Sequence, residues 1–171
     1  TIRVAAAKKF DFNLDFDANG SIYTGLHRVG AGVDANGLLG RGELISLRAS
    51  NAIDGNLRFA RASVLVPVGP WGTKIGAAIS DLDYRLGTSS FAALKVNGTA
   101  YVTSLTAIHP ISRSRNTNLL VIGQYDKREF YDISLASGDE NRKKSDVASL
   151  GLSGDFRDRL GGCGINVFNV A

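Results

Sequence analysis

Apolar and polar residues alternate along most of this chain, and a helical period is nearly absent. Phe10, Phe12, Leu14 and Phe16 fall on one side of an extended segment, with Asp11, Asn13, Asp15 and Asp17 on the other. The same two-residue period sets Val29, Ala31 and Val33 against Arg28, Gly30 and Gly32, and Ile45, Leu47 and Ala49 against Ser46, Arg48 and Ser50. It sets Ile75, Ala77 and Ile79 against Lys74, Gly76 and Ser80, and Leu119, Val121 and Tyr125 against Gln124, Asp126 and Arg128. Near the far end, Ala148, Leu150 and Leu152 oppose Ser149, Gly151 and Ser153. Segments 57–66 and 99–109 are strand-like with ambiguous facing. Arg61 and Ser63 suggest an inward row in the first, and the second stays open. The pattern predicts about eight strands and the start of a ninth at Ile165–Val170.

Two kinds of connector separate these strands. Short ones carry glycine and all three prolines: Ala35–Gly42, Pro67–Gly72, Pro110–Thr117 and Arg157–Gly164. A proline there removes no donor from a strand ladder. Longer or more polar ones are Asn19–Gly25, Asn51–Asn56, Arg85–Gly98 and Asp132–Lys144, with Asn97-Gly98 reading as a hairpin turn. This order predicts an all-β fold, an antiparallel up-and-down meander of the kind found in transmembrane outer-membrane barrels. A soluble sandwich hides its apolar face and covers the other with Lys, Glu and Thr. Here the polar faces mix Gly, Ser and single charges, and strands of about ten residues suit a tilted membrane crossing.

Composition narrows the classes. The 171 residues suit a single domain, taken as 1–171, and 44% hydrophobic residues argue against disorder. No run approaches the roughly eighteen apolar residues of a membrane helix. Lys and Arg number 20 against 16 Asp and Glu, but they are interleaved along the chain, which argues against nucleic acid as a partner. Cys163 is the only cysteine, so it closes no internal disulfide; in Gly161-Gly162-Cys163-Gly164 it reads as part of a turn with no role. The chain opens on Thr1 and holds no methionine, and is expected to be a piece of a longer protein whose targeting segment lies upstream.

An ordered set of short motifs resembles a known family. Asn19-Gly20-Ser21, Tyr23-Thr24-Gly25, Arg28 and Leu38-Leu39-Gly40-Arg41-Gly42-Glu43 come first. Pro67-Val68-Gly69-Pro70-Trp71-Gly72-Thr73 and Asp83-Tyr84-Arg85-Leu86-Gly87 follow. His109-Pro110-Ile111-Ser112-Arg113-Ser114-Arg115 and Gly123-Gln124-Tyr125-Asp126-Lys127-Arg128 complete the set. Together they resemble the opening of the barrel in two-partner secretion transporters, the hemolysin secretion/activation proteins of Gram-negative outer membranes (type V secretion). The resemblance implies a barrel of roughly sixteen strands exporting one large unfolded exoprotein, with two periplasmic capture domains ahead of it. It also implies an inward-folded loop with an Arg-Gly-Tyr or Arg-Gly-Phe tip. This sequence contains neither, so it is expected to be the first half of the barrel, and no functional motif carries over residue by residue. Glu43 stands where the resemblance leads one to expect Asp.

Other signals have plainer readings. Asp15-Phe16-Asp17-Ala18-Asn19-Gly20 begins like a calcium loop, but its twelfth position is Leu26 and flanking helices are missing, so a turn and no metal site is expected. Gly37–Gly42 opens no helix that could bind phosphate and reads as a tight turn. His27 and His109 lie on different strands with no nucleophile elbow, so no catalytic residue, no enzyme activity and no cofactor is expected. Candidate lumen-lining residues are Arg28, Arg48, Arg61, Lys74, Gln124, Asp126, Arg128, Ser149 and Ser153. They read as a hydrated wall along which an unfolded chain slides, with outer-membrane lipid meeting the opposite face. A passive solute porin and a soluble β-rich adhesion module remain the alternatives.

Overall fold

The computed structural model describes residues 8–86, 96–134, 139–157 and 164–170. They form one nine-stranded sheet: β1 (Phe10–Asp17), β2 (Arg28–Asn36), β3 (Leu44–Ala52), β4 (Leu57–Val68), β5 (Thr73–Arg85), β6 (Val96–Arg113), β7 (Thr117–Ser134), β8 (Asp139–Arg157) and β9 (Ile165–Val170). Each strand pairs antiparallel with the next, so chain order and spatial order coincide. Cys163 and the segments 87–95, 135–138 and 158–163 of the expected connectors lie outside the described residues.

The register decides the facing of every strand. Phe12, Val33, Leu47, Ala62 and Ile79 are successive cross-strand partners and form one apolar row over five strands. Arg61 and Ser63 oppose Arg48 and Ser46, so the inward row read from β4 holds. In β6 the open question resolves as Thr103, Leu105 and Ala107 on the apolar side and Ser104 and Thr106 on the other.

No second layer covers either face among the described residues. Among the described residues the buried hydrophobic ones are four alanines, Ala35, Ala52, Ala78 and Ala100, while Phe12 is 71% and Leu14 85% exposed. A soluble sandwich built from these strands would bury those side chains. The apolar face therefore needs an apolar solvent.

Three local expectations are corrected. Asn97 and Gly98 sit inside β6, paired with Arg85 and Tyr84, and not in a hairpin turn. A Cβ at Gly98 would lie 2.4 Å from the Tyr84 ring, so the glycine leaves room for that ring to cross the sheet. The Tyr84 hydroxyl then donates to Asp132 at 2.9 Å. Pro67 and Pro110 fall within strands β4 and β6, and the ladder absorbs Pro110 through a bulge before Ser112. Much of the polar stretch 132–144 is strand: β6, β7 and β8 run 18, 18 and 19 residues. Oppositely charged neighbours hold the extension together, with Lys144 3.1 Å from Glu129 and Lys127 opposite Asp146.

The β2–β3 turn shows what Glu43 does. Its side chain is almost wholly buried, and its carboxylate accepts hydrogen bonds from the backbone amides of Leu39 and of Arg41, the latter at 3.1 Å. Gly37, Gly40 and Gly42 take positive φ around it, which lets the chain wrap the carboxylate. The Leu39 amide foremost, then the amides of Glu43 and Arg41 and the Arg41 charge, hold this carboxyl below its ordinary value of 4.5 against the opposing effect of burial. Because the folded pKa is the lower one, the contribution of Glu43 is complete above pH 4.5 and is lost as the pH falls through the folded value. Hydrogen-exchange protection of the Leu39 and Arg41 amides should drop on acidification into that range and be pH-independent in Glu43→Gln. Identical pH profiles in both proteins would contradict this assignment.

Candidate functional site: the polar face of the sheet

Period-two alternation places one polar residue in every two on a common face, and the meander carries that face across all nine strands. Its central row runs Asn13, Gly32, Arg48, Arg61, Ser80, Val102, Arg128 and Ser145. The next row towards the short turns includes Asp34, Ser46, Ser63, Ser104 and Asp126. All nine candidate residues lie on this face. Gln124 directly opposes Ser149, and Arg48 directly opposes Arg61.

Charge on the face is distributed in cross-linked units. Arg28 reaches Asp17 at 2.9 Å across β1 and β2. Arg48 reaches Asp34 at 2.7 Å across β2 and β3, and the Ser46 hydroxyl donates to the same carboxylate. Asp126 is buried and accepts from Arg128 at 2.7 Å and Gln124 at 2.9 Å, so three candidates form one cluster on β7. Arg61 is in no salt bridge among the described residues and faces the like charge of Arg48. Lys74 and Ser153 stand apart from these units, towards the short-turn ends of their strands.

The carboxylates of the first two units, Asp17 and Asp34, are not among the candidates read from the sequence. The signal was present, since both share the polar phase of alternation with those candidates. The loop resembling a calcium site is a turn: Asp17 Oδ1 accepts the Asn19 amide at 2.9 Å and the Arg28 guanidinium, so its charge is already occupied. No group of three or more potential metal ligands occurs among the described residues.

The Asp126 cluster carries a stability prediction. Asp126→Ala leaves the Gln124 amide and the Arg128 guanidinium without their acceptor, and should cost about 1–3 kcal/mol, towards the lower end because Arg128 is partly hydrated. Arg128→Gln should cost less, since Gln124 still serves the carboxylate. Denaturant midpoints that fall equally in the two variants would contradict the ranking.

Comparison with known proteins places this geometry. The sequence profile of the haemolysin secretion/activation protein family ShlB/FhaC/HecB matches residues 1–153. The heme/hemopexin transporter protein HuxB of Haemophilus influenzae is 26% identical over 155 residues, covering 91% of this chain and 27% of HuxB. CdiB from Escherichia coli superposes with a TM-score of 0.76 at 18% identity, over 97% of this chain and 31% of CdiB. CdiB from Acinetobacter baumannii gives 0.72 at 23% identity, over 98% and 33%. The chain thus spans about a third or less of the length of these relatives, and its nine-strand meander matches part of the CdiB outer-membrane barrel. With an exposed apolar face, a cross-linked polar face and a profile match over most of its length, the chain belongs to the haemolysin secretion/activation protein family of two-partner secretion transporters of the outer membrane, which are not enzymes.

Proposed function

We propose that residues 1–171 form part of the wall of an outer-membrane pore that secretes and activates a large partner exoprotein of the hemolysin or adhesin type, threaded through in unfolded form. The observation that carries this reading is the two-faced single sheet in a chain of this family: one face apolar and uncovered, the other polar and largely self-paired. Arg28, Arg48, Arg61, Lys74, Gln124, Asp126, Arg128, Ser149 and Ser153 line the pore. The internal ion pairs suit a wall that stays hydrated and grips a passing chain weakly, because a charge already paired gains little from a new partner. Family membership speaks against a passive solute porin and against a soluble adhesion module. The wall is partial, and further strands of the parent barrel continue it beyond β1 and β9.

The test uses the full-length transporter with its exported partner stalled in transit. A photocrosslinking residue at Arg61 or Ser149 should capture the partner, whereas the same residue at Leu47 or Leu150 should capture lipid. Equal capture of the partner from both faces would sink the proposal.

A further inference from the structure

The short turns at one end of the sheet carry a charge and an apolar character that the polar face does not explain. In the three described turns at this end, with one residue either side of each, the cations are Arg41, Arg113 and Arg115, all exposed. The single carboxylate there is Glu43, buried and committed to the Leu39 and Arg41 amides. None of the three arginines is in a salt bridge among the described residues. Beside them stand two large apolar side chains with almost nothing packed on them, Leu39 at 76% exposed and Trp71 at 79%. Neighbouring turns are close together: a Cβ at Gly72, the residue after Trp71, would lie 3.7 Å from an Arg113 guanidinium nitrogen.

We propose that this turn end is a docking surface for anionic phospholipid headgroups of the inner leaflet, with Arg41, Arg113 and Arg115 on the phosphates and Leu39 and Trp71 inserted beside the acyl chains. Charge complementarity selects the occupant. Guanidinium groups pair bidentately with phosphate, and indole is favoured where apolar and polar layers meet. The three cations and the two apolar side chains are spread over three successive turns along the margin of the sheet, as contact with a continuous lipid surface requires. A protein partner would call for one bounded patch. The inference rests on the reading of the sheet as a membrane wall, with short turns on the periplasmic side.

The experiment places the full-length protein in lipid nanodiscs of phosphatidylcholine with a minor share of phosphatidylglycerol, and counts retained lipids by native mass spectrometry. Phosphatidylglycerol should be enriched over its bulk share. The variant with Arg41→Gln, Arg113→Gln and Arg115→Gln should lose that enrichment by on the order of tenfold or more, since each basic residue near a surface contributes about fivefold. Trp71→Ala should lower total retention of both lipids. A heat-modifiability gel confirms that each variant still forms its barrel. Unchanged enrichment in the triple variant overturns the proposal, as does a crosslink from position 115 to protein without any lipid preference. Export by the unsubstituted protein is assayed in parallel: no export with phosphatidylglycerol still enriched counts against the secretion reading, and export with no enrichment counts against this one.

Discussion

Leu47→Arg is expected to destabilise the membrane-embedded barrel by about 2–4 kcal/mol, the cost of a cation on the lipid side near the bilayer midplane. Leu47 lies near the centre of β3, in the apolar row formed by Phe12, Val33, Leu47, Ala62 and Ile79, with strand partners on both sides and no covering layer. The added guanidinium has no carboxylate partner within that row, and the middle of the band is the longest reach to an interface for a side chain that snorkels. Ser50→Arg, on the opposite face of the same strand and in the same cross-strand row as Asp15, should shift stability by less than about 1 kcal/mol. Urea unfolding in lipid vesicles, read by the mobility of folded and unfolded forms, separates the two. Equal costs would mean that the apolar face does not meet hydrocarbon.

A larger effect is expected when the 171 residues are placed in lipid alone. Among the described residues β1 pairs only with β2, and β9 only with β8. One side of Phe10–Asp17 and one side of Ile165–Val170 therefore carry backbone donors and acceptors outside the ladder. Hydrocarbon offers these groups no partner, and each costs several kcal/mol. Bacterial single-chain barrels escape the cost by closing on an even number of strands. The isolated segment should aggregate or join edge to edge, giving heterogeneous conductance and no export. A monodisperse pore that exports a partner unaided would overturn this. An eight-stranded closed barrel, too narrow for a polypeptide, could not account for it either.

Legibility in the sequence followed the range of the interactions involved. Strand identity and facing were readable because alternation is local: the phase set by Phe10–Asp17 or by Ile45–Ser50 needs no knowledge of the partner strand. Even the ambiguous Arg61 and Ser63 gave the right face. Misreadings occurred where a local signal met a cross-strand contact. Asn-Gly favours a turn by itself, but at 97–98 the ladder to β5 and the Tyr84 ring claim it for a strand. Residues 139–144 look too polar for a strand until Lys144 meets Glu129 and Arg142 meets Tyr131 from β7. Glu43 was visible only as a departure from an expected Asp. Its burial depends on the path of the turn around it, which residue identities alone do not specify.

The long strands β6, β7 and β8 have a consequence for how the protein meets the enzymes of its surroundings. At about 3.4 Å per residue they are far longer than an apolar band about 25 Å tall requires, so the end bearing Lys127, Glu129, Arg142 and Lys144 stands clear of it. Proteases generally bind a substrate segment in extended form, using backbone groups that are free to pair. In β7 those groups are engaged on both sides, by β6 and by β8, over nearly the whole strand. The β7 arm of this projection therefore resists shaving where a loop of equal length and equal charge would be clipped. It can reach well beyond the lipid without becoming the weak point of the chain.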